Sequence, residues 1–231
     1  MRNHWISLAQ WLALGAMTLE HIARFALPDI WGLATWATLL GRIALPLFAA
    51  MIAWHLVHSI RDPLAYLHRL LLIALVAQLP YTLVVTSSVG NVVFTLSLGA
   101  ALTGVLLSSG YLPRPAMLLP LGILAVALRD YLEYGLFGVA LVPAFALVFA
   151  SRGVWQLPAA LGLLIVAYRL NTVWLFSLVS LAAALAVLAL HLGLLRQVAN
   201  VPRISPWLWR AWYPLHFALI AAFQIFVPWP G

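Results

Sequence analysis

Long apolar stretches fill this chain, and proline, glycine and polar residues interrupt them at intervals that suit transmembrane helices. A helix of about 20 apolar residues crosses the hydrocarbon core of a bilayer. The pattern therefore predicts an all-α protein, a polytopic transmembrane helix bundle of about nine spans, in a single domain over residues 1–231. The connections are short, which favours antiparallel packing of neighbouring helices. The predicted spans are Trp5–Leu27, Trp31–His58, Leu64–Thr86, Asn91–Ser109, Pro115–Leu132, Tyr134–Ser151, Trp155–Leu170, Val173–Leu195 and Leu208–Val227.

The composition agrees with a protein that lies in a lipid bilayer. Hydrophobic residues make up 65% of the chain, charged residues 7%, and the mean hydropathy is +1.06. Soluble domains carry about 25% charged residues. Soluble enzymes, disordered chains and coiled coils are therefore excluded. The absence of cysteine also excludes disulfides, thiolate nucleophiles and cysteine-ligated metals.

The net charge of +7 arises from twelve arginines, no lysine and five acidic residues. Single arginines between apolar runs are typical of loops that obey the positive-inside rule, and not of nucleic-acid binding. With the N-terminus inside, eight arginines fall on inner segments and three on outer ones, and Arg42 lies within the second span. The chain is therefore predicted to be N-in and C-out. The inner set is Arg2, Arg61, Arg69, Arg114, Arg152, Arg196, Arg203 and Arg210, and the outer set is Arg24, Arg129 and Arg169.

Polar residues from several spans fall at similar depths in the predicted outer half of the bilayer. At about 1.5 Å per residue, Glu20 and His21 lie about 10 Å deep and Arg42 about 16 Å deep. Ionisable side chains inside a membrane are costly and mark a functional site by default. The same band includes Gln78, Tyr81 and His216, with Asn91, Arg129 and Asp130 at its rim.

Structural interpretations of these residues remain open. Glu20 and His21 are adjacent on a helix, so their side chains diverge by about 100° and the acid can simply neutralise Arg42. A single transmembrane histidine such as His216 can serve only as an interhelical hydrogen-bonding group. The segment from Arg129 to Glu133 can be a solvated loop.

A second group of polar residues lies at the predicted inner end of the second span. His55, His58 and Asp62 share one helical face, a spacing that can hold a metal. Their position beside Arg61 favours interfacial polar residues instead, and no metal is expected.

Six short motifs occur in order between about residues 12 and 220. They are GAMTLEHIARF with Glu20 and His21, GRIALPLFA with Gly41, Arg42, Ala44, Pro46 and Phe48, AQLPY with Gln78, Pro80 and Tyr81, GNVVFTL with Gly90, Asn91, Phe94 and Thr95, YGLFG with Tyr134, Gly135 and Gly138, and YPLH with Tyr213, Pro214 and His216. On these motifs the chain resembles the conjugative-pilin N-acetylase (TraX) family of bacterial inner-membrane proteins. That family usually has Asp-His where this chain has Glu20–His21, and the stretch from Arg152 to Arg203 carries no matching motif.

The resemblance implies transfer of an acetyl group from acetyl-CoA to the amino terminus of a processed pilin subunit. It also implies kinship with membrane acyltransferases that move an acetyl group across the bilayer. In this scheme His21 is the general base, because histidine transfers protons near neutral pH. Glu20 orients His21 or balances nearby positive charge, and His216 is a second proton-transfer group or carries a transient acetyl group.

The remaining predicted site residues bind the two substrates. Arg42, Asn91 or Gln78 would donate to the oxyanion that forms during attack on the thioester. Acceptor contacts are predicted for Tyr81, Asp130 and Tyr134. The anionic end of acetyl-CoA is predicted to lie against Arg61, Arg69, Arg203 and Arg210.

Three other functions fit parts of the pattern. A non-enzymatic pilus assembly or chaperone protein of the same membrane would not need a buried histidine. A proton-coupled transporter would have inverted repeats, which this sequence lacks. Transfer of the acetyl group to a lipid or a sugar is not distinguished from pilin acetylation by sequence.

Overall fold

The structure is a computed structural model that describes residues 4–28, 32–86, 88–108, 114–195 and 201–227. Within these ranges the chain is helical, with 3₁₀ turns at Arg129–Tyr131 and Gly153–Trp155, which confirms the predicted all-α class. The only β-type pairing among the described residues is an isolated bridge between Gly90 and Leu132. The α-helices are α1 His4–Phe25, α2 Leu33–Gly41, α3 Ala44–His58, α4 Pro63–Val84, α5 Val92–Leu107, α6 Arg114–Leu128, α7 Gly135–Ala150, α8 Gln156–Tyr168, α9 Trp174–His191 and α10 Pro206–Phe226.

The helices coincide with the predicted spans, except that the second span comprises α2 and α3. By length and composition, three segments are able to cross a membrane. They are Leu33–His58, Pro63–Val84 and Trp174–His191, and shorter apolar helices occupy Val92–Leu107, Gly135–Ala150 and Gly153–Tyr168. These segments are those of a membrane protein. The number of crossings and the N-in orientation stay predictions.

α2 and α3 form one interrupted span, and the bundle has two ends. We call the end where α1 begins and α3 ends the N-terminal face, and the end where α1 ends and α7 begins the distal face. On the distal face the α4–α5 connection contacts the segment after α6, because the Gly90 amide donates to the Tyr131 carbonyl at 2.8 Å.

Close helix packing at the centre of the bundle depends on small residues. α3 packs against α7, and α5 lies against both. Ala49 and Ala50 of α3 are fully buried. A Cβ atom at Gly99 of α5 would lie 2.6 Å from the Val139 carbonyl oxygen of α7. Such close backbone approach is how helices associate in membranes, where burial against lipid supplies no driving force.

Two hydrogen bonds fix α10 against α1. Trp212 Nε1 donates to Thr18 Oγ1 at 2.8 Å, and Gln224 Nε2 donates to the Phe25 carbonyl at 2.8 Å. α10 also packs along α4. These contacts set the register that places His216 of α10 beside His21 of α1.

A break between α2 and α3 places Arg42 inside the bundle. Pro46 has no N–H, so it cannot donate to the Arg42 carbonyl four residues earlier. Ser180 Oγ of α9 donates to that carbonyl instead, at 3.1 Å. The local cost of the proline is therefore offset by a contact that also ties α9 to the break.

Candidate functional site

A cavity of about 380 Å³ lies between α1, the α2–α3 break and the beginnings of α7 and α9. We call it the polar cavity. Its polar lining residues are Glu20, His21, Arg24, Arg42, Glu133, Tyr134, Asn171 and Thr172. Most of them lie toward the distal face. Four sequence-predicted residues, His21, Glu20, Arg42 and Tyr134, therefore come together here.

Arg42 is held by partners from three parts of the chain. It forms an ion pair with Glu20, whose side chain is 6% exposed. Its Nη1 donates to the Tyr134 hydroxyl at 2.8 Å and to Asn171 Oδ1 at 3.4 Å. A buried charge is tolerated when an opposite charge and further hydrogen bonds satisfy it, so this arrangement stabilises the arginine inside the bundle.

Glycine at position 41 allows Glu20 to reach Arg42. A Cβ atom at Gly41 would overlap the Glu20 carboxylate and would lie 2.8 Å from Glu20 Cβ. Arg24, one turn along α1, donates to the same carboxylate at 3.1 Å. Glu20 therefore balances two arginines and is not the partner of His21.

His21 instead pairs with His216. His21 Nδ1 lies 2.8 Å from His216 Nε2, and His216 Nδ1 lies 2.9 Å from the Trp212 carbonyl oxygen. A carbonyl only accepts, so neutral His216 carries its hydrogen on Nδ1 and accepts at Nε2. His21 then donates from Nδ1, which leaves a lone pair on its Nε2. This tautomer gives His21 the free nitrogen that a general base needs.

Tyr134 adopts a backbone conformation that is rare for a residue with a side chain. Its φ of 61° is left-handed, and it precedes Gly135 at the start of α7. Such strain costs about 1–3 kcal/mol and persists where the surrounding structure determines it. The hydrogen bond from Arg42 to the Tyr134 hydroxyl is one such determinant.

Gln78 and Asn91 lie outside the lining of the polar cavity and serve a structural contact. Asn91 is fully buried. Its Nδ2 donates to Gln78 Oε1 at 2.9 Å and to the Ala74 carbonyl at 2.8 Å, while its Oδ1 accepts from the Val93 amide. Asn91 thus caps α5 and joins it to α4. The structure offers neither residue as a donor to an oxyanion in this cavity.

Asp130 and Tyr81 also differ from the predicted acceptor-binding arrangement. The Asp130 side chain is 79% exposed and lies beside Arg129 at 3.5 Å, outside the polar cavity. Tyr81 is buried, and its hydroxyl donates to Glu133 Oε1 at 3.2 Å. Tyr81 therefore acts on the cavity through Glu133.

Three residues of the site are not predicted by the sequence pattern. Glu133 falls in a segment whose pattern also fits a solvated loop, yet it lines the polar cavity. Asn171 and Ser180 lie in the stretch without recognisable motifs, and Asn171 Nδ2 donates to Ser180 Oγ at 3.0 Å. Their only signal was that polar side chains interrupt or closely precede an apolar helix, which is also true of ordinary helix ends.

A second cavity, of about 850 Å³, lies at the N-terminal face. Three of the four arginines predicted to bind acetyl-CoA line it, namely Arg69, Arg203 and Arg210. Arg61 lies outside its lining. We call this the basic cavity, because its charged lining residues are all arginines.

A narrow apolar cavity of about 100 Å³ lies between the other two. It shares Phe48 and Val92 with the polar cavity, and Trp209 and Arg210 with the basic cavity. The rings of Phe48 and Trp209 are 5.4 Å apart. The three cavities therefore follow one another along the bundle. We call the small cavity in the middle, which Phe48 and Trp209 line, the apolar constriction.

The polar residues at the end of α3 have separate partners. His58 stacks on Trp54, Asp62 caps α4 by accepting from the Ala65 amide, and His55 lines the basic cavity. Across the described residues, these side chains form no group able to hold a metal.

The fold and the site define an all-helical membrane protein with a buried ion pair and a histidine pair beside an internal cavity. The chain belongs to the TraX protein family, whose sequence profile matches residues 6–224. The resemblance drawn from the motifs is thus confirmed. No curated protein and no solved structure matches the chain. Family membership suggests a role in the processing of conjugative pilin.

The Gly41→Ala variant tests the dependence of the site on close approach at Gly41. The added methyl group should displace Glu20 from Arg42 and lower the stability of the purified protein by about 1–3 kcal/mol. Thermal unfolding in detergent, followed by circular dichroism, measures the change. Gly15→Ala is the matched control, because a Cβ atom there meets nothing within 4 Å. Equal melting temperatures for the two variants would contradict the proposed contact.

Proposed function

We propose that this protein is a multi-pass acetyltransferase of the bacterial inner membrane. It moves an acetyl group from acetyl-CoA to the N-terminal amine of a conjugative pilin subunit. The observation that carries the proposal is the succession of cavities from three arginines at one end to a histidine with a free ring nitrogen at the other. Family membership supports pilin as the acceptor.

The basic cavity suits the anionic part of acetyl-CoA. Arginine is the side chain best matched to phosphate, through its planar fork of donors. Arg69 and Arg203 line the cavity near the N-terminal face, and Arg210 lines both this cavity and the constriction. We propose that this face is cytoplasmic, as the arginine distribution predicts.

The apolar constriction suits the uncharged pantetheine arm. Arg210 and His216 lie six residues apart on α10, which is about 9 Å along the helix axis. A flexible arm held at Arg210 therefore has a short path past Phe48 and Trp209 to the histidine pair. In this proposal the polar cavity, toward the distal face, receives the acceptor.

His21 and Arg42 have distinct roles in the proposed reaction. Nε2 of His21 takes a proton from the acceptor nitrogen as that nitrogen attacks the thioester carbonyl. The guanidinium of Arg42 stabilises the negative charge that develops on the carbonyl oxygen. His216 acts through His21, because it holds the tautomer that leaves Nε2 free. Glu20 keeps Arg42 in place.

Binding of the donor is tested by thermal unfolding in detergent. Acetyl-CoA should raise the melting temperature, because a ligand that binds only the folded state stabilises it. The double variant Arg69→Ala with Arg203→Ala should lose most of the increase. Arg129→Ala, an exposed arginine on the distal face, is the control and should keep it. No increase at millimolar acetyl-CoA would favour the non-enzymatic assembly protein.

The role of His21 is tested by acetyl transfer to a peptide with a free amino terminus. His21→Gln should lower the rate at least about 100-fold, as expected for loss of a general base, while the acetyl-CoA-dependent melting shift remains. His68→Gln, an exposed histidine of α4, is the matched control. A wild-type rate in His21→Gln would refute the assignment of the base.

The same assay tests the carboxylate that pairs with Arg42. Glu20→Asp should keep much of the activity and Glu20→Gln should lose most of it.

A further inference from the structure

The proposed reaction has to remove two protons from its acceptor. An α-amino group has a pKa near 8, so at neutral pH most of it is an ammonium group. One proton must leave before the nitrogen has a lone pair, and a second must leave after the new bond forms. A hydroxyl acceptor would lose only one. His21 supplies one free ring nitrogen, so an amine acceptor calls for a second base.

Glu133 is a carboxylate fixed at the edge of the polar cavity. It lies in the connection between α6 and α7, and its backbone carbonyl accepts from Thr95 Oγ1 at 2.9 Å. Its Oε1 accepts from the Tyr81 hydroxyl at 3.2 Å. Both bonds come from neighbouring helices, so the position of Glu133 is set by α4 and α5.

The two acids of the cavity differ in their cationic partners. Glu20 lies within ion-pair distance of Arg24 and Arg42. No arginine or histidine nitrogen among the described residues lies within 4.0 Å of the Glu133 carboxylate. A partly buried carboxylate without a close cation favours binding of a positively charged ligand.

The charged and titratable groups around Glu133 come from every side of the cavity. Burial raises the pKa of Glu133 to about 7 and Glu20 acts in the same direction, while the Tyr81 hydrogen bond and the charges of Arg42 and Arg24 lower it. A base that titrates near the working pH both accepts and releases protons readily. The groups that face it are Tyr81 of α4, Glu20 and Arg24 of α1, Arg42 at the α2–α3 break, Tyr134 before α7 and Tyr213 of α10.

We propose that Glu133 binds the ammonium group of the acceptor and accepts its first proton, which makes the site specific for amines. This inference rests on the proposed acetyl transfer. Glu133 then selects an amine as the acceptor, whereas His21 is the base of the transfer step.

The acceptor ammonium gives one proton to the Glu133 carboxylate and becomes a neutral amine. Its nitrogen forms a bond to the thioester carbonyl carbon and gives its second proton to His21 Nε2. The carbon–sulfur bond breaks, and His21 returns that proton to the departing sulfur. Glu133 releases its proton to water, so the products are an amide, a thiol and one proton.

The test is the pH dependence of kcat/KM for a peptide with a free α-amino terminus, measured with the full chain in lipid nanodiscs and acetyl-CoA. Glu133→Gln can use only neutral amine, which is about a tenth of the peptide at pH 7 and most of it at pH 9. The variant should therefore be about tenfold less efficient than wild type at pH 7 and nearly equal at pH 9. Asp62→Asn, which keeps the cap of α4 at the other face, is the control.

A loss in Glu133→Gln that does not change with pH, or no loss, would overturn the inference while leaving the acetyltransferase proposal intact. If the wild type acetylates no amine peptide, the proposed function itself fails. If Glu133→Gln does not fold, Tyr81→Phe is tested instead. Loss of the hydrogen bond from Tyr81 to Glu133 should raise the pKa of Glu133 and shift the acidic limb of the kcat/KM profile to higher pH. An unchanged profile would overturn the role of Glu133.

Discussion

The pairing of Arg42 with Glu20 is the contact on which the other site residues depend. An unpaired arginine at the centre of a transmembrane helix costs about 2.5–3.5 kcal/mol on insertion scales. The surrounding structure avoids that cost in several ways. Gly41 leaves room for the carboxylate, and the Tyr134 hydroxyl and the Asn171 side chain accept from the guanidinium. One motif, GRIALPLFA, thus encodes the glycine, the arginine and the proline that breaks the helix beside them.

The helices were predictable because hydrophobic length alone determines where a membrane helix can lie. Adjacent Glu20 and His21 were expected to diverge, and they have different partners. Residues outside helices were harder to place. Glu133 lines the polar cavity only because the connection after α6 folds inward onto α4 and α5. Depth also could not separate Asn91, a helix cap that binds Gln78, from a residue that faces a cavity.

The ends of the bundle have different chemistry, and the proposed function uses that difference. Three arginines line the basic cavity, and no acidic side chain among the described residues forms an ion pair with them, whereas Glu20, Glu133, Arg24 and Arg42 all line the polar cavity. Between them lies the small apolar cavity, whose lining includes the contacting rings of Phe48 and Trp209. We propose that this order lets a donor held at one face react with an acceptor at the other. The histidine pair lies where α1 and α10 meet.

The most direct test of this account is the intact mass of the pilin subunit produced in cells with and without this protein. Pilin is expected to gain the mass of one acetyl group, located at its amino terminus, only when the wild-type protein is present. Production with the His21→Gln variant should give the unmodified mass. Pilin of identical mass with and without the wild-type protein would contradict the central claim.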